Sequence, residues 1–242
     1  MGSETQSPSE PTVIVMPADA SGNSARENAA YDVLLRFGKL PPGRLLCFFD
    51  DEDCCVLKSE SVGFGKANRG VSSPVTAPSD FYGWPTEAIK YIYPSMSLDD
   101  NQSAFDFVTY LHNSSCLDPL GMTMTFAHEL RHFVQWATMR EVWKANQQFK
   151  RRLLEFDTGF ESHDLPIERD ARIVAKRIAI QLYGFEAVNH YIQQSINDPV
   201  NDLDCRNWRF IEGLDVAKPY DVEVETTLFR EKLNCLSVRL RL

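Results

Sequence analysis

From Met122 to Phe156 the chain contains neither glycine nor proline, and this stretch is preceded by the pair Asp118–Pro119. An aspartate followed by proline is a helix start. The carboxylate can accept from an otherwise unpaired N–H of the first turn, and proline loses nothing where its N–H would be unpaired anyway. The spacing predicts one long helix, broken by "FDTGFESHDLP" (156–166). The rest of the fold has to be arranged around that rod.

The rod carries "TFAHELRHFVQW" (125–136). Residues i and i+4 share one helix face, so His128 and His132 can point two imidazole nitrogens at one ion. Zinc would sit at about 2.0–2.1 Å from each. Glu129 lies beside the first histidine, where its carboxylate can act as general base towards an activated water without being a ligand. The competing reading is a solvated helix face that happens to carry two histidines. The apolar neighbours Phe126, Ala127, Phe133 and Val134 favour the site.

A hydrolytic zinc site needs a third protein ligand and an open fourth position. Downstream candidates are Glu155, Asp157, Glu161, His163, Glu168 and Asp170. On a helical wheel Glu168 shares a face with Ala171, Ala175, Ala179 and Leu182, a small apolar stripe suited to close packing. A carboxylate on such a face is costly unless paired or metal-bound, which favours Glu168 as third ligand. Asp170 falls on the opposite side of the wheel, towards Ile173 and Arg177. Glu168 would also serve as a first-turn acid, since Pro166 and Ile167 open that helix. His163 is the next candidate. Gln135 could shape the pocket, whereas Trp136 reads as packing.

"FAHELRHFVQ" followed by "LPIERDARIVA" resembles the zincin metallopeptidases of gluzincin type, in which a glutamate on a following helix is the third ligand. The step from Glu168 to Ala171 and Ala175 is similar to that of the compact ImmA/IrrE-like minimal zincins. Some of those have asparagine where this chain has Arg172. The resemblance implies that His128, His132 and Glu168 bind Zn2+ and that Glu129 takes a proton from water and passes it to the leaving amine. It implies a protein or peptide substrate, bound as an added strand along a sheet edge. Tyr183, His190 and Tyr191 are candidates for stabilising the oxyanion. A zincin-fold module that senses a protein partner without general proteolysis is the alternative.

Other users of the motif fit less well. Metzincins would need glycine at 135 and histidine at 138, where this chain has Gln135 and Thr138. Peptide deformylases take a cysteine ligand from well upstream, and Cys116 is too near. A di-iron bundle would need a second ExxH beside Glu129 and His132, and there is none.

The remaining segments suggest an α+β fold: a small twisted sheet from the N-terminal half, packed on the active-site helix and the helices after it. "PTVIVMPA" (11–18), "GRLLCFFDD" (43–51), "CCVLKSESVGFG" (54–65) and "EAIKYIYPSM" (87–96) read as strands. "SARENAAYDVLLRFG" (24–38), "IERDARIVAKRIAIQLYG" (167–184) and "FEAVNHYIQQSIN" (185–197) read as helices. "AFDFVTYLHNSSC" (104–116) leans towards helix. The tail from Asp198 is mixed, with "DVEVETTLF" (221–229) and "LSVRLRL" (236–242) able to pair as strands or cover the core. Residues 1–12 read as a disordered lead-in and 13–242 as one domain.

A net charge of −9 argues against nucleic acid or an anionic membrane surface as partner. No apolar run is long enough to span a bilayer. The polar N-terminus has no signal pattern, and the irregular cysteines fit reduced thiols. The expected location is therefore the cytoplasm, or export without a classical signal.

Overall fold

The computed structural model describes residues 12–15, 24–50, 70–75, 104–112, 118–155 and 159–239, with isolated positions 86, 89, 93 and 95. Four strands have defined bounds: β1 (Val13–Val15), β2 (Arg44–Asp50), β3 (Gly70–Pro74) and β4 (Phe107–His112). Seven helices do so as well: α1 (Ser24–Phe37), α2 (Pro119–Thr138), α3 (Arg140–Glu155), α4 (Pro166–Tyr183), α5 (Phe185–Asn197), α6 (Asp202–Glu212) and α7 (Val222–Arg239). The architecture is α+β and mostly helical. No helix among the described residues is long and apolar enough to cross a membrane.

The sheet order is β1-β2-β4-β3, with β1, β2 and β4 parallel and β3 antiparallel to β4. One face of β2 and β4, through Leu45, Cys47, Phe107 and Leu111, packs on α1 and α2. The other, through Leu46, Phe48, Val108 and Tyr110, packs on Val75, Ile89 and Phe105. Every residue of β4 is buried. A strand covered on both faces loses its alternation of apolar and polar residues. That is why residues 107–112, a strand in the structure, lean helical by sequence.

Three further expectations are corrected. Thr86 and Ile89 are helical, and Tyr93 donates to the Ile89 carbonyl at 2.8 Å, so the described part of 87–96 is not a strand. The long rod is two helices, broken at Met139 (φ −127, ψ 54) without glycine or proline. The bend lets Val142 of α3 join Ile167 and Val222 in one apolar cluster. Residues 222–239 are helical rather than stranded, because Val222, Thr226, Phe229 and Leu233 fall on one buried helical face. The expected strand at 54–65 and the N-terminal lead-in before Thr12 lie outside the described residues.

Asp118 caps α2 by accepting from the Gly121 N–H at 2.8 Å. α4 lies along α2, with Ala171, Ala175 and Ala179 all buried. Lys176, also on α4, is only 4% exposed. Its ammonium donates to the carbonyls of Ile211, Glu212 and Leu214 at 2.9, 2.8 and 3.0 Å. All three ammonium protons thus meet the C-terminal end of α6, where the helix dipole favours a cation. Lys176→Met keeps the length but removes the donors. It is expected to cost about 3 kcal/mol, read as a lower urea midpoint at unchanged slope.

Candidate metal centre

α2 and α4 bring three donor groups together. The Nε2 atoms of His128 and His132 are 3.1 Å apart. Glu168, in the first turn of α4, places Oε2 at 3.4 Å from His128 Nε2 and Oε1 at 3.6 Å from His132 Nε2. A tetrahedral ion with zinc-length bonds separates its ligand atoms by about 3.3 Å. The cluster therefore has the dimensions of a metal site. Two imidazoles and a carboxylate also form a donor set that suits zinc. Among the described residues, His128, His132 and Glu168 are the one group with this convergence.

The hydrogen bonds around His132 decide which nitrogen faces the cluster. Gln135 is fully buried. Its amide nitrogen donates to the Ile167 carbonyl at 2.9 Å and to Asp170 Oδ2 at 2.8 Å. Both partners only accept, so the orientation of the amide is fixed. Its Oε1, 2.8 Å from His132 Nδ1, must then accept, and Nδ1 carries the proton. In the neutral imidazole Nε2 is then the nitrogen with the lone pair, directed at His128 and Glu168, the form a ligand needs.

Asp170 completes this support. It is 5% exposed and also accepts from Arg131 Nε at 2.7 Å. The wheel puts Asp170 away from the packed face, but Arg131 and Gln135 are long enough to reach it. In the chain Arg131–Asp170–Gln135–His132 the pocket-shaping role open to Gln135 was legible in the sequence, whereas its link to Asp170 and Arg131 was not. Its one visible signal was a glutamine between Phe133 and Trp136, three residues past His132 on a helix otherwise apolar there.

Electrostatics favour the ligand form at Glu168 and His128 but not at His132. Burial alone would lower the His132 imidazole. The charge and hydrogen bond of Glu168, with Glu129 and Gln135, outweigh burial and raise it above its ordinary value, so a metal would displace a proton there. Burial alone would raise the Glu168 carboxyl. The charge of His132, hydrogen bonds from both histidines and the Arg172 guanidinium outweigh it and hold Glu168 well below the usual carboxylate range. Burial pushes His128 below its ordinary value, more than the neighbouring carboxylates offset. Arg172 donates to Glu168 Oε2 at 3.1 Å across one helical turn.

Glu129 is 4% exposed. Its Oε1 lies 4.0 Å from His128 Nε2, while Oε2 accepts a hydrogen bond from the Ser72 hydroxyl of β3. The carboxylate is thus beside the three donors, with one oxygen turned towards them.

The other candidates lie elsewhere. His163 packs against Phe210, with ring centroids 4.7 Å apart, and its Nδ1 is 3.4 Å from Glu161. Glu161 pairs with Arg206 at 2.9 Å. Glu155 ends α3, and Asp157 is outside the described residues. Tyr183 bonds to Thr123 and the Pro119 carbonyl at the start of α2, Tyr191 packs on Trp208, and His190 is exposed on α5. None of these three stands at the cluster. Trp136 is buried against Phe107 and Phe133, as packing.

No protein-family model, no curated protein and no solved structure matches the chain.

Proposed function

We propose that this chain is a zinc-dependent peptidase acting on a narrow range of protein substrates, with His128, His132 and Glu168 as ligands and Glu129 as general base. The observation that carries the reading is the convergence of the three donors with a separate carboxylate held beside them. A purely structural zinc site has no use for that fourth group. When bound, zinc would supply Lewis acidity, polarising a scissile carbonyl and making water acidic enough to deprotonate near neutral pH.

The rest of the work belongs to the chain. Gln135 holds His132 in the required tautomer, and Asp170 holds Gln135. Glu129 accepts a proton on the oxygen nearer the cluster and returns it to the leaving amine. β3, one of the two outer strands of the described sheet, lies against α2 next to Glu129. An extended peptide could add there as a further strand, its backbone aligned with the centre.

Metal analysis by mass spectrometry on wild type, His128→Ala and Glu168→Ala tests the reading. The expected result is one zinc per chain in wild type and none in either variant. A wild-type protein that is folded, purified without chelator and still fails to take up added zinc would overturn it. Zinc retained by Glu168→Ala alone would remove Glu168 from the ligand set.

A further inference from the structure

We infer that Ser72 is a positioning residue for the general base: a one-way chain of hydroxyl donors, running across the sheet and ending on Glu129 Oε2, fixes the carboxylate with its other oxygen facing the ligands. The inference rests on the peptidase reading of the centre and adds the element that makes Glu129 usable.

The strand register builds the chain. Cys47 of β2 is paired with Thr109 of β4, and Thr109 with Ser72 of β3, so the three residues lie abreast on adjacent strands. Cys47 belongs to the core formed with Phe126, Ala127 and Leu130 of α2, which places this row on the helix-facing side of the sheet. Ser72 Oγ lies 3.2 Å from Thr109 Oγ1, so the two hydroxyls are hydrogen-bonded.

Counting protons gives the direction. An ionised carboxylate only accepts, so the single Ser72 hydroxyl proton goes to Glu129. Thr109 must then donate to Ser72. The two hydroxyl dipoles point the same way, and aligned hydrogen bonds reinforce one another. The inner end of the row is shut off from solvent, because Cys47 and Thr109 have no exposed surface.

The backbone of β3 closes the other side. A Cβ built on Gly70 would lie 2.9 Å from Glu129 Oε1, 3.0 Å from Glu129 Cγ and 3.0 Å from Thr125 Cγ2. Glu129 is therefore held between a residue with no side chain and a hydroxyl two positions along. A glutamate that must otherwise choose among rotamers is presented in one, which is how positioned groups gain effectiveness.

The test uses the full-length zinc-loaded protein with Ser72→Ala, and the near-isosteric pair Ser72→Thr and Ser72→Val in case alanine disturbs folding. Zinc content and thermal midpoint are recorded for each. The dissociation constant of acetohydroxamate is then measured by calorimetry. This zinc chelator needs a proton acceptor beside the metal, so its affinity reads the pose of Glu129 without a known substrate. Ser72→Ala and Ser72→Val are expected to keep one zinc per chain and to bind acetohydroxamate about tenfold more weakly. Ser72→Thr should stay within about twofold of wild type. Wild-type affinity in zinc-loaded Ser72→Ala or Ser72→Val would overturn the inference and leave the zinc reading intact. Failure of the wild type to bind zinc would overturn both.

Discussion

Glu129→Gln is expected to bind its full complement of zinc and to cleave peptide substrate about 10³-fold more slowly than wild type. The replacement is nearly isosteric, and the amide oxygen can still accept from Ser72, so the geometry around the cluster is kept. What is lost is a group that can take up and return a proton. A drop of that size corresponds to about 4 kcal/mol of transition-state stabilisation. It should appear in kcat rather than KM, because the carboxylate contributes little to holding the ground state. The contrast with His128→Ala is diagnostic, since that variant should lose metal and turnover together. A zinc-loaded Glu129→Gln protein with turnover within tenfold of wild type would show that another group is the base. The same variant, able to bind but slow to cleave, is the natural trap for capturing the physiological substrate.

The second large effect falls on a residue that touches no metal. Asp170 accepts from Arg131 and from Gln135 in a site that is 5% exposed. Asp170→Ala leaves the Arg131 guanidinium, whose side chain is 19% exposed, without its anion. Breaking a buried pair by removing one partner costs about 3–5 kcal/mol. It also removes one of the two acceptors that hold the Gln135 amide, leaving the Ile167 carbonyl alone to orient it, so that the acceptor for His132 Nδ1 is held less firmly. Removing support of this kind weakens metal binding by about 10- to 100-fold. Urea unfolding of the metal-free protein gives the first quantity, and competition with a chelator of known affinity gives the second. Measuring stability without metal is necessary, since bound zinc itself stabilises the fold by mass action. Arg131→Met separates the two effects. It should lower stability while leaving Gln135 fixed by Asp170, with zinc affinity close to wild type. An Asp170→Ala protein that binds zinc as tightly as wild type would break the proposed link between Asp170 and His132.

Local signals carried the helical half of the centre. A cap, a proline and an unbroken run defined α2, the i, i+4 spacing defined the histidine pair, and a stripe of alanines drew attention to Glu168. Each of these can be read within one helix. The misread elements depend on what covers them. β4 is buried on both faces, so its period of two is hidden. α7 opens on "VEVETT", which alternates like a strand. Its later residues Phe229 and Leu233 are spaced for a helix, and packing against α3 decides the outcome. The break at Met139 has no breaker residue and follows from where Val142 finds its partners. The supports of the centre were hidden for a related reason. Gln135 meets Asp170, and Ser72 meets Glu129, only once helix has packed on helix and strand on helix. No spacing within one element shows such pairs.

Gly70 and Ser72 also divide the centre between two parts of the fold. The three donors come from two helices that pack on each other, α2 and α4. The contacts that pose Glu129 come instead from β3, at the margin of the described sheet. A change confined to that margin would therefore shift the carboxylate while leaving the spacing of the three donors as it is.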